Sequence, residues 1–222
     1  MVYQDLIQQY DCLSQDDKNT LLIYKSRLSR AINSLDIDDN EIKDVYDLYK
    51  NYLDDTKNIF MKMTVFKDIS FDNFDSFKES LRDVKEKLEK VTSKITLPED
   101  ITVFRVVSVP KDKELSFISK SEIISTSFSI DECSKFLIPN SNNYLYQINL
   151  KQGSSVAICP YSILINQETH QLSLTQKTDQ KEVIISKSNY DFFEILSTDT
   201  KTDTKIIIVD ALQKSKTNSN VK

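Results

Sequence analysis

Glycine is nearly absent: Gly153 is the single one among 222 residues. Neither a GxGxxG turn nor a P-loop can be written with it, so any phosphate would have to be held without a glycine-rich cradle. Histidine is as scarce, and His170 alone leaves no His-based triad and no His cluster for a metal. The three cysteines, Cys12, Cys133 and Cys159, lie far apart and form no CxxC pair. That pattern argues for folding in a reducing compartment and against a zinc site. The opening MVYQDLIQQYD lacks the basic start and apolar run of a signal peptide, and no stretch approaches membrane-spanning length. A soluble protein is therefore expected, with secretion by a signal-independent route left open. A net charge of −5 gives no electrostatic support to broad binding of nucleic acid or anionic membrane.

What is present divides in two. Residues 1–100 carry 21 acids and 15 bases, net −6, against −5 for the whole chain, so the remainder is net +1. Residues 1–95 have helical patterning. Ser14 can cap a helix in which Leu21, Tyr24, Leu28, Ala31 and Leu35 form one apolar stripe. Asp38 and Asp39 can start the next, with Ile42, Val45, Tyr49, Tyr52 and Ile59 on its inner face. Phe74, Phe77, Leu81, Val84, Leu88 and Val91 step at the helical period with charges between them. At Leu97-Pro98-Glu99-Asp100 the period changes. Short strands are predicted at about 101–109, 123–128, 144–150, 154–159, 170–176, 182–186, 190–196 and 205–209. The predicted class is α+β, a helical lobe followed by a mainly antiparallel, β-sandwich-like half, with the polar tail from Gln213 frayed.

Three places carry candidate chemistry. Arg105 is one of only 4 arginines against 25 lysines and sits in an apolar strand. A Lys-preferring sequence that places a guanidinium there has use for its planar fork, suited to phosphate or carboxylate. The alternative is an arginine whose stem packs at a sheet edge with its head in water. In Glu122–Phe136 a hydroxyl-rich strand, with Ser125 and Ser127 on one face and Thr126 on the other, runs into the capping box Ser129-Ile-Asp-Glu132. Buried hydroxyls need partners, at roughly 1–3 kcal/mol each when unpaired. Finally, Gln180-Lys181-Glu182 opens an apolar strand. A carboxylate there is a candidate general base or cation stabiliser, and a solvated turn is the bland alternative.

Together and in order, the blocks TVFRVV after LPED, ISTSFS, YLYQINLKQG and QKEVIIS resemble the mono-ADP-ribosyltransferases with an Arg-Ser-Glu arrangement, nearest the bacterial exoenzyme type, over about residues 40–210. The resemblance implies a helical region 1–96, an NAD-binding catalytic core 97–212 and a tail 213–222. It implies that Arg105 binds the phosphate and ribose side of NAD, and that the backbone of Val106 contacts nicotinamide. Ser125, with Thr126 and Ser127 completing the STS triplet, braces the site; Phe136 stacks on nicotinamide, unless it packs on the buried face of the short helix after Ser129. Glu182 is the catalytic glutamate and Gln180 the residue that engages the acceptor. No metal is implied. The Gln-x-Glu form points to a protein acceptor other than arginine, on a small GTPase or actin-like protein, and to a toxin or effector in a host cytosol. Two departures bear on the target: the loop Thr175–Asp179 lacks an aromatic, and Pro139 stands where some relatives carry a phosphate-binding arginine. An NAD glycohydrolase and a catalytically silent binding module are the other readings.

Overall fold

The computed structural model describes residues 2–35, 37–111, 123–176, 181–199 and 204–214. Six helices come first: α1 (Val2–Asp11), α2 (Gln15–Lys25), α3 (Leu28–Ser34), α4 (Asp39–Leu53), α5 (Ile59–Thr64) and α6 (Phe74–Val91). Their starts are written in side chains. Ser14 accepts from the amide of Asp17, Asp38 from those of Asn40 and Glu41, and Asn73 from that of Ser76. The α6 stripe is core as expected, with Phe77, Leu81, Val84, Leu88 and Val91 all buried.

Two helical expectations are corrected. The stripe from Leu21 to Leu35 does not lie on one helix, because the chain breaks at Ser26, whose hydroxyl donates to Ile23 O at 2.6 Å and accepts from Leu28 N at 3.2 Å. A serine hydroxyl that serves the backbone on both sides competes with the helical ladder. Ile59 is not on the inner face of α4; it opens α5 after a turn at Thr56–Asn58 and is 56% exposed.

The second half supplies β1 (Ile95–Thr96), β2 (Ile101–Val109), β3 (Ile123–Ser127), α7 (Ile130–Ser134), β4 (Asn142–Leu150), β5 (Ser155–Val156), β6 (Tyr161–Asn166), β7 (Gln171–Gln176), β8 (Glu182–Ser186), β9 (Tyr190–Asp199) and β10 (Thr204–Gln213). A six-stranded sheet has the order β8-β3-β2-β4-β10-β9, and two ribbons pair β1 with β5 and β6 with β7. All pairs are antiparallel except β4 with β10. The chain is thus α+β. The strand β6 falls outside the predicted set, and of 154–159 only Ser155–Val156 forms a strand, with Ala157 bridging to Ile184. Nor is the start of the tail frayed: Gln213 belongs to β10 and accepts from Ser155 N, and Lys214 N donates to Asn189 O. The remaining tail residues lie outside the described ones.

One continuous core joins the helices to the sheet, from Leu6 and Leu21 through Val103 and Ile148 to Val209. Polar contacts tie the halves as well. Gln9 exchanges two hydrogen bonds with the backbone of Thr96, each 2.9 Å, and the Tyr24 hydroxyl donates to Ile123 O at 3.2 Å. Among the described residues no helix is long and apolar enough to cross a membrane.

Candidate active site

β8, β3 and β2 lie side by side, and their register decides which side chains meet. Ser127 stands opposite Glu182 and Ser125 opposite Ile184. Since alternate residues share a face, Ser125 and Ser127 lie on the face of Glu182. The Ser125 hydroxyl donates to Glu182 Oε1. Thr126 uses its hydroxyl on Val183 O at 2.7 Å, and Ser127 Oγ accepts from Ser129 N at 3.1 Å, where the chain turns into α7. Lys181, just before β8, has φ +38°, and its carbonyl accepts from Phe128 N. Glu182 follows it into the strand opposite Ser127 and on the cleft side.

β2 meets β3 at one registered pair among the described residues, Phe104 with Ser127. Past that point the Arg105 side chain takes over, its Nη1 donating to Ser125 O at 2.7 Å. Arg105 Nε is buried and has no hydrogen-bond partner. Burial pushes the guanidinium pKa down from its ordinary value, yet an arginine stays charged under any ordinary condition.

These residues line a cleft of about 370 Å³, which also holds Val106, Thr126, Ser127, Cys133 and Phe136. Phe136 lies past the end of α7 and is 66% exposed, so the alternative of a buried helix face does not hold; Cys133 is the buried residue there. Burial pushes the Cys133 thiol up, with Arg105 opposing, and its Sγ donates to Phe104 O. Gln180 lies outside the described residues. Among the described residues no group of three or more His, Cys, Asp or Glu is arranged to hold a metal.

No family model matches the sequence, and no curated protein matches it either. Solved structures do. An ADP-ribosyltransferase from Clostridium botulinum superimposes with a TM-score of 0.54 at 13% identity, covering 95% of this chain and 94% of that one. The Clostridium limosum C3 exoenzyme gives 0.54 at 17% identity, with 95% and 90% covered. C3stau2 from S. aureus, solved with NAD, gives 0.52 at 13% identity, with 96% and 93% covered. The fold is that of the ADP-ribosyltransferases.

Within this ADP-ribosyltransferase fold, the sheet residues singled out from sequence, Arg105, Val106, Ser125, Thr126, Ser127 and Glu182, share one cleft. The helical wall was missed. Tyr24 and Lys25 end α2, and Asn33 of α3 lies within 3.5 Å of the Tyr24 hydroxyl. Lys25 Nζ forms an ion pair with Glu182 Oε2. Burial pushes the Tyr24 phenol up, partly offset by Asn33 and Arg105. Tyr24 was legible only as a member of an apolar stripe, and Lys25 is one of 25 lysines, so neither carried a signal of its own. Chemically, the cleft offers a carboxylate held through both oxygens, a buried guanidinium with an unspent donor, and an exposed ring at its mouth.

Proposed function

We propose that this chain is an NAD-dependent mono-ADP-ribosyltransferase that transfers ADP-ribose to a side chain of a host protein other than arginine, and that it works as a toxin or effector. The observation that carries this reading is the hydrogen bond from Ser125 to Glu182 on the floor of a cleft shared with Arg105. The fold supports it, and one structure of that fold, C3stau2, was solved with NAD.

When the bond between nicotinamide and ribose breaks, nicotinamide leaves with the bonding electrons and the ribose becomes cationic. A carboxylate fixed beside it stabilises that charge more in the transition state than in the ground state. Glu182 is that group in this reading, and Ser125 holds it. Arg105 binds the phosphates, for which its unpartnered Nε is suited. Val106 offers backbone and Phe136 a ring to nicotinamide. Gln180, neutral and able both to donate and to accept, engages an amide or hydroxyl acceptor, which attacks the ribose and loses its proton. A small GTPase or an actin-like protein fits this acceptor class.

The test is incubation of the protein with labelled NAD and eukaryotic cell lysate, followed by mass spectrometry of any labelled band. The expected outcome is nicotinamide release with label on an Asn, Gln or Thr of one protein, abolished in a folded Glu182→Ala variant. Release without any labelled protein would instead make the chain an NAD glycohydrolase, and no release at all would leave a silent binding module.

A further inference from the structure

Glu182 is held from two sides, and only one of them is the sheet. Ser125 of β3 donates to Oε1, while Lys25, the last residue of α2, pairs with Oε2. The helix ends there because Ser26 turns the chain, which leaves the Lys25 side chain to reach the sheet across the cleft. Both side chains are enclosed, each 11% exposed. A carboxylate oxygen has lone pairs for more than one donor, so neither contact prevents Glu182 from accepting a further hydroxyl.

The surroundings give the ion pair its weight. A carboxylate withdrawn from water is driven toward its neutral form unless a cation or donors oppose that. The charged and titratable groups around the Lys25–Glu182 pair are Tyr24 of α2, Arg105 of β2, Glu132 and Cys133 of α7, Cys159 after β5, which interacts with Lys25, and Lys181, next in sequence to Glu182 but exposed to solvent. Arg105 is engaged with Ser125 O, and Glu132 pairs with Lys135 at 2.6 Å. Tyr24, Cys133 and Cys159 are pushed up by burial and so stay neutral near neutral pH, Cys159 reaching about 11. The direct countercharge of the Glu182 carboxylate is therefore Lys25.

We propose that Lys25 is a positioning residue that keeps Glu182 ionised and aimed into the cleft, so that the helical half of the molecule controls the charge on which the sheet half depends. The inference rests on the proposed role of Glu182. A neutral Glu182 could still form a hydrogen bond but would no longer stabilise a cationic ribose, so the effect of losing Lys25 falls on turnover and its pH dependence more than on NAD binding.

The experiment compares wild type, Lys25→Met and Lys25→Arg by nicotinamide release between about pH 5 and pH 9. In Lys25→Met the acid limb of the rate profile moves up by about one pH unit or more, so that kcat on that limb, below both midpoints, falls about tenfold or more with KM within about twofold. Lys25→Arg keeps the limb in place. An acid limb in Lys25→Met that coincides with wild type overturns the proposal. A thermal-unfolding cycle of Lys25→Met, Glu182→Gln and the double variant reads the pairing without any turnover. Losses in Tm that are smaller in the double variant than the sum of the singles support it, and additive losses overturn it. If Lys25→Met does not fold, a double variant that folds supports the pairing, and one that also fails overturns it. Wild type that releases no nicotinamide removes the proposed function, while the cycle still judges the ion pair.

Discussion

Arg105 is held between two tasks. One of its terminal nitrogens spans the gap between β2 and β3 by donating to Ser125 O, and its Nε is buried without a partner. Buried donors in native proteins are almost always satisfied, and in the proposed function an NAD phosphate is the group that satisfies this one. A lysine keeps the charge but has a single point of attachment, and it cannot both bridge the strands and reach a phosphate. Arg105→Lys is therefore expected to weaken NAD binding about tenfold, roughly the loss of one charge-assisted hydrogen bond. Calorimetric titration measures it, and an unchanged Kd would place NAD away from Arg105. The scarcity of arginine makes this residue stand out in the sequence alone. Lys25 has the opposite fate: chemically central, it is hidden by the abundance of its own type.

At the scale of elements, local chemistry was legible and long-range pairing was not. The spacing Ser129-x-x-Glu132 announced a capped turn, and Ser129 Oγ does accept from Glu132 N, at 3.3 Å. In a five-residue helix one cap is a large share of what holds it, so Ser129→Ala is expected to cost about 1 kcal/mol locally. Amide exchange at Glu132 and Cys133 should then speed up about fivefold, as hydrogen exchange followed by NMR would show. The α6 stripe and the edges of β2 and β8 were equally readable, since periods of 3.6 and 2 depend on neighbours in sequence. The break at Ser26 was not, because Leu28, Ala31 and Leu35 stay buried on and just after α3 and preserve the period through the interruption. Nor was β6, whose Tyr161–Asn166 finds its register only against β7. The sheet side of the candidate site was legible as an order of blocks, in that Arg105, Ser125 and Glu182 line one cleft. Its helical wall was invisible because the Lys25–Glu182 pair joins residues from opposite ends of the chain.

At the scale of the molecule, the helical and sheet halves share one core, and Asn58 shows how closely they are joined. It lies in the turn between α4 and α5 and is 1% exposed. Its amide nitrogen donates to Tyr52 O and to His170 O, each at 2.7 Å, and its oxygen accepts from Leu172 N at 2.7 Å. One side chain thus closes the helical turn and fastens the β6–β7 ribbon to it. In Asn58→Ala the His170 carbonyl and the Leu172 amide lose this partner at once, while Tyr52 O keeps the Asp55 amide at 3.3 Å. With each unpaired buried group costing about 1–3 kcal/mol, and some relief from water, a loss of about 3 kcal/mol is expected. For a chain of this length that lowers Tm by about 6–12 °C. The denaturant slope should stay unchanged, since the surface exposed on unfolding is the same. Because the core is continuous, far-ultraviolet and near-ultraviolet signals should still fall together in one transition. Two separated transitions in the variant would instead mean that the helices and the sheet are independent units held together by this turn, and Lys25 could then leave Glu182 without the molecule unfolding.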